Sequence, residues 1–223
     1  HQWFGNTVTE SDWSHLWLSE GFATYLTNIY IEYSEGEIAF LAQLAQDRKK
    51  VIRFHESFKN PLVDSLTTNL NLLLNPNAYQ KGAWILHMLR HEMGDSAFFL
   101  GLTEYYATYK FRNANSLDFF RSMQPHTLKN LDLFRTQWVY RGGHPILKEV
   151  SQGNEFLVLI QTQKELFSFP LEINFKDPLG NIERVEVFVK DREVRVMVPE
   201  GMRGKYWEYI LDPQVRLLFE VID

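Results

Sequence analysis

Residues 1–26 read HQWFGNTVTESDWSHLWLSEGFATYL, and the interpretation of the whole chain starts from this stretch. It opens on His1 and reaches a carboxylate, Glu20, within the helical run WLSEGFATYL. One face of that predicted helix is formed by Trp13, Leu16, Trp17, Glu20 and Ala23. Glu20 is the only charge in this set, and a carboxylate on an apolar helix face is unfavourable unless a positive group receives it. A metal ion shared with His1 would satisfy the carboxylate, and so would a nearby arginine or lysine.

Three segments give this stretch a family resemblance. HQWFGN, followed by VTESDW and WLSEGFATYL, resembles the core of the membrane-alanyl-aminopeptidase family of gluzincin zinc peptidases. In that family the motif H-E-x-x-H supplies two histidine ligands and a glutamate general base, and a glutamate on the next helix is the third ligand. The resemblance implies that His1 is the second histidine and Glu20 the third zinc ligand. Ser19 stands where the family usually has asparagine.

A second family segment is NPNAYQKGAW, where an Asn-Pro-Asn turn leads into a helix predicted over 78–93. By itself, Tyr79 in the first turn of this helix would be interpreted as an aromatic anchor that packs on the core. The segment resembles the family's Y-E-K-G-A, with Gln80 in place of glutamate. The resemblance implies that Tyr79 is catalytic, donating a hydrogen bond to the oxyanion of the tetrahedral intermediate.

The implied activity is removal of N-terminal residues from peptides with a free amino terminus, by attack of a zinc-activated water. The chain contains neither the first histidine nor the general base, which would precede His1. We therefore expect the 223-residue polypeptide alone to lack peptidase activity and to bind zinc weakly at best. The alternatives are a non-catalytic scaffold or binding member of the same fold and, within the enzymes, a leukotriene-type epoxide hydrolase.

His87 and His91 stand four residues apart on the helix over 78–93, which is the spacing of a two-histidine metal face. Glu92 follows them instead of lying between them, and no third ligand occurs at a known spacing. We expect both to lie on a partly exposed helix surface, and we expect the same of the isolated histidines, His15, His55, His126 and His144.

Composition excludes several other classes of function. The net charge of −5 gives no indication of a nucleic-acid-binding surface, and the absence of cysteine excludes disulfides and thiolate zinc sites. No apolar run is long enough to span a bilayer. Compartment and oligomeric state are left open by the sequence.

The predicted fold class is α+β, with the helical rear half of a thermolysin-like catalytic domain at 1–140 and a small antiparallel β-sandwich at 145–223. Within 1–140, residues 1–5 are predicted to be the last turn of a helix, with Gly5 and Asn6 as its stop, and 6–11 a short polar connector. A helix is predicted over 35–58, and Gly94 is predicted to stop the helix over 78–93. Two helices are predicted over 96–122 with a break at 112–115, and Ser116 can cap the second of them. A Gly/Pro segment, RGGHP, separates the two domains at 141–145. Apolar and polar residues alternate with a period of two beyond it. The predicted strands are 146–150, 156–162, 171–175, 185–190, 194–198, 207–211 and 215–220, with turns at 152–154, 177–180 and 190–192.

Overall fold

The computed structural model describes residues 1–153 and 155–222, and of residues 151 and 152 it describes the backbone alone. The chain divides into two compact units, His1–Gly143 and His144–Asp223. The first unit is helical with one two-stranded sheet, and the second contains two further sheets. The chain is therefore of the α+β class that the sequence predicts. Among the described residues, no helix has the length and apolar character needed to cross a lipid bilayer.

The helices of the first unit are α1 (Trp17–Glu35), α2 (Glu37–Ser57), α3 (Gly82–Met93), α4 (Asp95–Tyr109), α5 (Ser116–Met123) and α6 (Asp132–Trp138). Gly36 and Gly94 separate the first two pairs with φ angles of 91° and 83°, a region that glycine enters without a Cβ clash. The helix predicted over 78–93 begins as a π turn, Asn77–Lys81, which leads directly into α3.

An aromatic cluster fixes α1 against the rest of the first unit. Phe4 stacks on Phe22 of α1 with ring centroids 4.3 Å apart, and Trp17 meets Phe119 of α5 edge to face. Tyr105 of α4 packs against both phenylalanines of this first pair. All five rings are buried. The large apolar area that they remove from water therefore fixes the rotation of α1 about its axis.

Two local predictions for the first unit are wrong. Residues 6–11, expected to be a connector, contain strand β1 (Val8–Glu10). This strand pairs in parallel with β2 (Arg112–Ala114), which lies where the sequence predicts a break between two helices. Residues 1–5 form turns instead of a last helical turn. The Asn6 amide nevertheless donates a hydrogen bond to the His1 carbonyl at 3.0 Å, which is the six-to-one bond found at helix C-caps. Gly5, with a φ of 114°, lies at the position where such caps commonly have glycine.

The second unit contains β3 (Ile146–Gln152), β4 (Phe156–Gln161), β5 (Phe169–Lys176), β6 (Ile182–Val189), β7 (Glu193–Met197), β8 (Glu208–Leu211) and β9 (Glu220–Ile222). One sheet has the order β7-β4-β3-β9 and the other β6-β5-β8. The pairs are antiparallel, as predicted, except that β3 and β9 run parallel. The predicted turn at 152–154 includes Asn154, which lies outside the described residues.

The prediction of partly exposed histidines is wrong for three of them. His87 is buried, with its Nδ1 3.2 Å from the Tyr25 hydroxyl. His55 is buried with its Nε2 2.7 Å from Asn77 Oδ1, and His144 of the second unit is buried beside Glu220. Each ring has a hydrogen-bonding partner, which is the usual condition for burying a polar side chain.

Candidate active site

The structure brings His1 and Glu20 together at the start of α1. The imidazole Nε2 lies 2.9 Å from the carboxylate Oε2. The sequence left open an arginine or lysine as the partner of Glu20, but among the described residues the ion-pair partner found is His1. Gly5 makes the approach of His1 possible, because a Cβ on Gly5 would lie 2.9 Å from the His1 Nδ1 atom.

Tyr79 faces the same carboxylate from the π turn before α3. Its ring packs against a small buried cluster, Leu16, Leu73 and Ala78, while its hydroxyl lies close enough to the Glu20 carboxylate for each group to affect the pKa of the other. The ring is thus an apolar anchor, and the hydroxyl lies beside the Glu20 carboxylate.

The electrostatics of the site favour a cation. Burial raises the pKa of the Glu20 carboxyl, and the nearby Glu10 charge adds to this, while the hydrogen bond from Tyr79 and the amino terminus oppose it. Burial, followed by the charge and hydrogen bond of Glu20, raises the pKa of the Tyr79 phenol. The phenol is therefore a neutral hydrogen-bond donor at neutral pH, and the carboxylate lacks full compensation for its partial burial.

Two glycines allow the backbones that carry Glu20 and Tyr79 to touch. A Cβ on Gly21 would lie 2.8 Å from the Cα and carbonyl carbon of Gly82, and a Cβ on Gly82 would lie 2.9 Å from the Gly21 Cα. Gly21 follows the carboxylate directly, and Gly82 comes three residues after the tyrosine. The quoted segments contain both glycines, but sequence reasoning did not assign them a role; their adjacency to the two candidate site residues is the signal that could have found them.

Sequence reasoning also missed a second carboxylate beside the site. The Ser19 hydroxyl donates a hydrogen bond to Glu10 Oε2, and Glu10 lies on β1. No local pattern marks Glu10, because its place depends on the pairing of β1 with a strand about a hundred residues further along the chain.

Two donors do not make a complete zinc site. Within the described residues, no group of three or more His, Cys, Asp or Glu side chains is arranged to hold a metal ion. The histidines of α3 do not form a second site either, since His87 is enclosed by the rings of Tyr25, Phe40 and Trp84. The pair His1 and Glu20 is thus the candidate metal position, with Tyr79 beside it.

Comparison with known proteins finds several relatives of this chain. The chain is 31% identical over 159 residues to probable aminopeptidase 2 of Sulfurisphaera tokodaii, covering 70% of the chain and 20% of that protein. It is 29% identical over 158 residues to glutamyl aminopeptidase of Rattus norvegicus, covering 69% of the chain and 17% of that protein. Probable aminopeptidase 1 of Saccharolobus solfataricus is 27% identical over 223 residues, covering 92% of the chain and 27% of that protein.

A solved structure shows the same fold. The crystal structure of Legionella pneumophila aminopeptidase A in complex with aspartic acid superposes with a TM-score of 0.78 at 19% identity, covering 100% of this chain and 26% of that one. The chain thus spans about a quarter or less of the length of these relatives. The model of the peptidase family M1 domain matches residues 1–138. The chain therefore belongs to peptidase family M1.

Proposed function

We propose that this chain is part of a zinc aminopeptidase, which removes N-terminal residues from peptides. One observation carries the proposal: His1 Nε2 and Glu20 Oε2 are 2.9 Å apart, with the Tyr79 hydroxyl close enough to the same carboxylate to affect its pKa. Membership of the M1 family and the aminopeptidase names of the relatives support it. The proposed site residues are His1 and Glu20 as metal ligands and Tyr79 as a catalytic donor.

The two donors suit zinc. Imidazole nitrogen and carboxylate oxygen are both common zinc ligands, and two such atoms at about 2.0–2.1 Å from a tetrahedral ion lie roughly 3.3 Å apart. The observed separation of 2.9 Å would need to widen by only a few tenths of an ångström. An ion at this position would also relieve the charge on the partly buried Glu20 carboxylate.

Zinc, when bound, supplies a Lewis acid that polarises the scissile carbonyl and lowers the pKa of a water molecule. His1 and Glu20 would hold the ion. Tyr79 would donate its hydroxyl proton in a hydrogen bond to the carbonyl oxygen as negative charge develops there. A raised phenol pKa keeps that proton in place at neutral pH. The proposal requires a further histidine and a glutamate base from a segment that precedes His1.

Zinc titration of the 223-residue chain tests the assignment of ligands. Competition with a chromophoric chelator should show weak zinc binding that Glu20→Gln abolishes. Tyr79→Phe is the matched control, because it removes the neighbouring hydroxyl and leaves both donor atoms in place. Equal zinc affinity of wild type and Glu20→Gln would contradict the assignment.

Activity requires a second measurement. Since catalytic zinc sites use three protein ligands, the chain alone should not hydrolyse an aminoacyl anilide. A longer polypeptide that adds a histidine and a glutamate in front of His1, at the H-E-x-x-H spacing, should hydrolyse it, and should lose that activity with Glu20→Gln. Turnover by the chain alone would refute the incomplete-site proposal. An inactive longer polypeptide that still folds would favour a scaffold member of the family.

A further inference from the structure

Lys81 is the most deeply buried charged side chain near the site. Its exposed fraction is 0%, and a lysine is almost never fully buried without a partner. Its Nζ donates a hydrogen bond to the Gly143 carbonyl at 3.2 Å. Burial, with the charge of Arg141 as a second cause, lowers the pKa of Lys81 to about 7. The burial of this amine carries a cost that calls for an explanation.

The backbone of Lys81 closes the π turn that carries Tyr79. The Lys81 amide donates to the Pro76 carbonyl at 2.9 Å, and the following amide, of Gly82, donates to the Asn77 carbonyl. A π turn is rare in proteins and is found frequently at functional sites. The tyrosine is two residues from Lys81, so a rotation of the turn would move its hydroxyl.

The other end of the same turn is also fixed by side-chain bonds. Asn77 Oδ1 lies 2.7 Å from His55 Nε2 of α2, and Asn77 Nδ2 donates to the Asn60 carbonyl at 2.9 Å. The turn is thus held at its first residue by Asn77 and at its last by the Lys81 amine. Tyr79 lies midway between these two attachments.

We propose that Lys81 is a positioning residue for Tyr79. The hydrogen bond from the Lys81 amine to the Gly143 carbonyl holds the end of the π turn in place, and with it the tyrosine. The inference rests on the proposed role of Tyr79 as an oxyanion donor. Either the ammonium or the neutral amine can donate to that carbonyl, so the tie does not depend on the charge of Lys81. An apolar side chain of equal length would fill the same space but could not make the bond.

The test reads the tyrosine directly. Incorporation of 3-fluorotyrosine, with the Tyr79 signal assigned through Tyr79→Phe, allows fluorine NMR to report the surroundings and the pKa of this phenol. In Lys81→Met we expect the Tyr79 signal to shift or broaden and its pKa to fall back toward the ordinary value, as the hydroxyl leaves Glu20. The exposed Lys49→Met on α2 is the matched control and should leave both quantities unchanged. A Lys81→Met protein with the wild-type Tyr79 signal and pKa would overturn the proposal, whatever its melting temperature.

A second pair of variants covers the case in which Lys81→Met does not fold. The chain has no cysteine, so Lys81→Cys can be alkylated alone in denaturant and refolded. Bromoethylamine restores an amine at the position of Nζ, and bromopropane gives a side chain of the same length without a donor. The first product should restore the wild-type Tyr79 signal and the second should not, whereas identical signals would overturn the proposal. Because the readout is the phenol and not turnover, this result is independent of whether the aminopeptidase proposal survives its own zinc and activity tests.

Discussion

Replacing Gly21 with alanine tests whether the contact between α1 and the π turn sets the site. The added Cβ would lie 2.8 Å from two backbone atoms of Gly82 and 3.3 Å from the Ala78 carbonyl oxygen. Ordinary contacts of this kind begin at 3.4 Å, so the shortest one is about 0.6 Å too close. Backbone atoms cannot rotate away as a side chain can. The two segments must therefore separate, and Tyr79 must move away from Glu20.

The magnitude follows from two opposing effects. Overpacking a filled core costs about 1–3 kcal/mol. Alanine in a helix is favoured over glycine by roughly 0.5–1 kcal/mol. We expect a net loss of about 1–2 kcal/mol in the free energy of unfolding. We also expect the Tyr79 pKa to fall toward its ordinary value, because part of the rise comes from the Glu20 charge and hydrogen bond.

Urea unfolding provides the assay, since a change in the midpoint without a change in slope reports stability. Gly101→Ala in α4 is the matched control. A Cβ on Gly101 would lie 2.7 Å from a sulfur, but that sulfur belongs to the flexible Met123 side chain, which can shift. The control should therefore be close to neutral. If Gly21→Ala is as stable as Gly101→Ala and keeps the wild-type Tyr79 pKa, the reasoning about this contact is wrong.

Three further predictions concern single side chains. Tyr79→Phe in an active longer polypeptide should lower kcat by about 10²–10³-fold, the usual effect of removing one oxyanion donor, with unchanged zinc affinity; an unchanged kcat would remove the catalytic role. Burial lowers the pKa of Lys81 from its ordinary 10.5 to about 7 in the folded chain. Between these two pH values the unfolded chain binds more protons than the folded one, so stability should rise with pH across this range. Lys81→Met should lower that slope by up to about 1.4 kcal/mol per pH unit, and parallel wild-type and variant curves in urea titrations would contradict this. Asn115→Ala removes the capping box that Asn115 forms with Asp118 at the start of α5, so it should cost about 0.5–2 kcal/mol. Asn71→Ala, at an exposed asparagine, is the control and should leave the urea midpoint nearly unchanged.

Local signals were sufficient for most of the helices. The helix predicted over 35–58 is observed as Glu37–Ser57, and Gly94 ends α3 where the sequence places a stop. Glycine breaks and polar caps act within one helical turn, so they can be interpreted without knowledge of the fold. The cap predicted at Ser116 is found one residue earlier, at Asn115. Asparagine and serine are comparably good N-cap residues, so the sequence did not distinguish between them.

Long-range pairing and burial were beyond local signals. Strand β1 exists because Val8, Thr9 and Glu10 meet residues 112–114, and three residues of mixed polarity carry no recognisable strand pattern. His87 is buried because the partners that surround it come from α1 and α2 as well as its own helix. A histidine at the same spacing on a helix with one solvated face would have been exposed.

The sequence by itself determined which side chains belong to the candidate site. The resemblance of the quoted segments to the aminopeptidase family singles out His1, Glu20 and Tyr79, since such a resemblance depends on the residue types themselves. Only the tertiary structure decided that these groups meet, because their distance depends on how closely two backbones approach. That approach is possible where Gly21 and Gly82 leave no Cβ between them, and no spacing along the chain specifies such a contact.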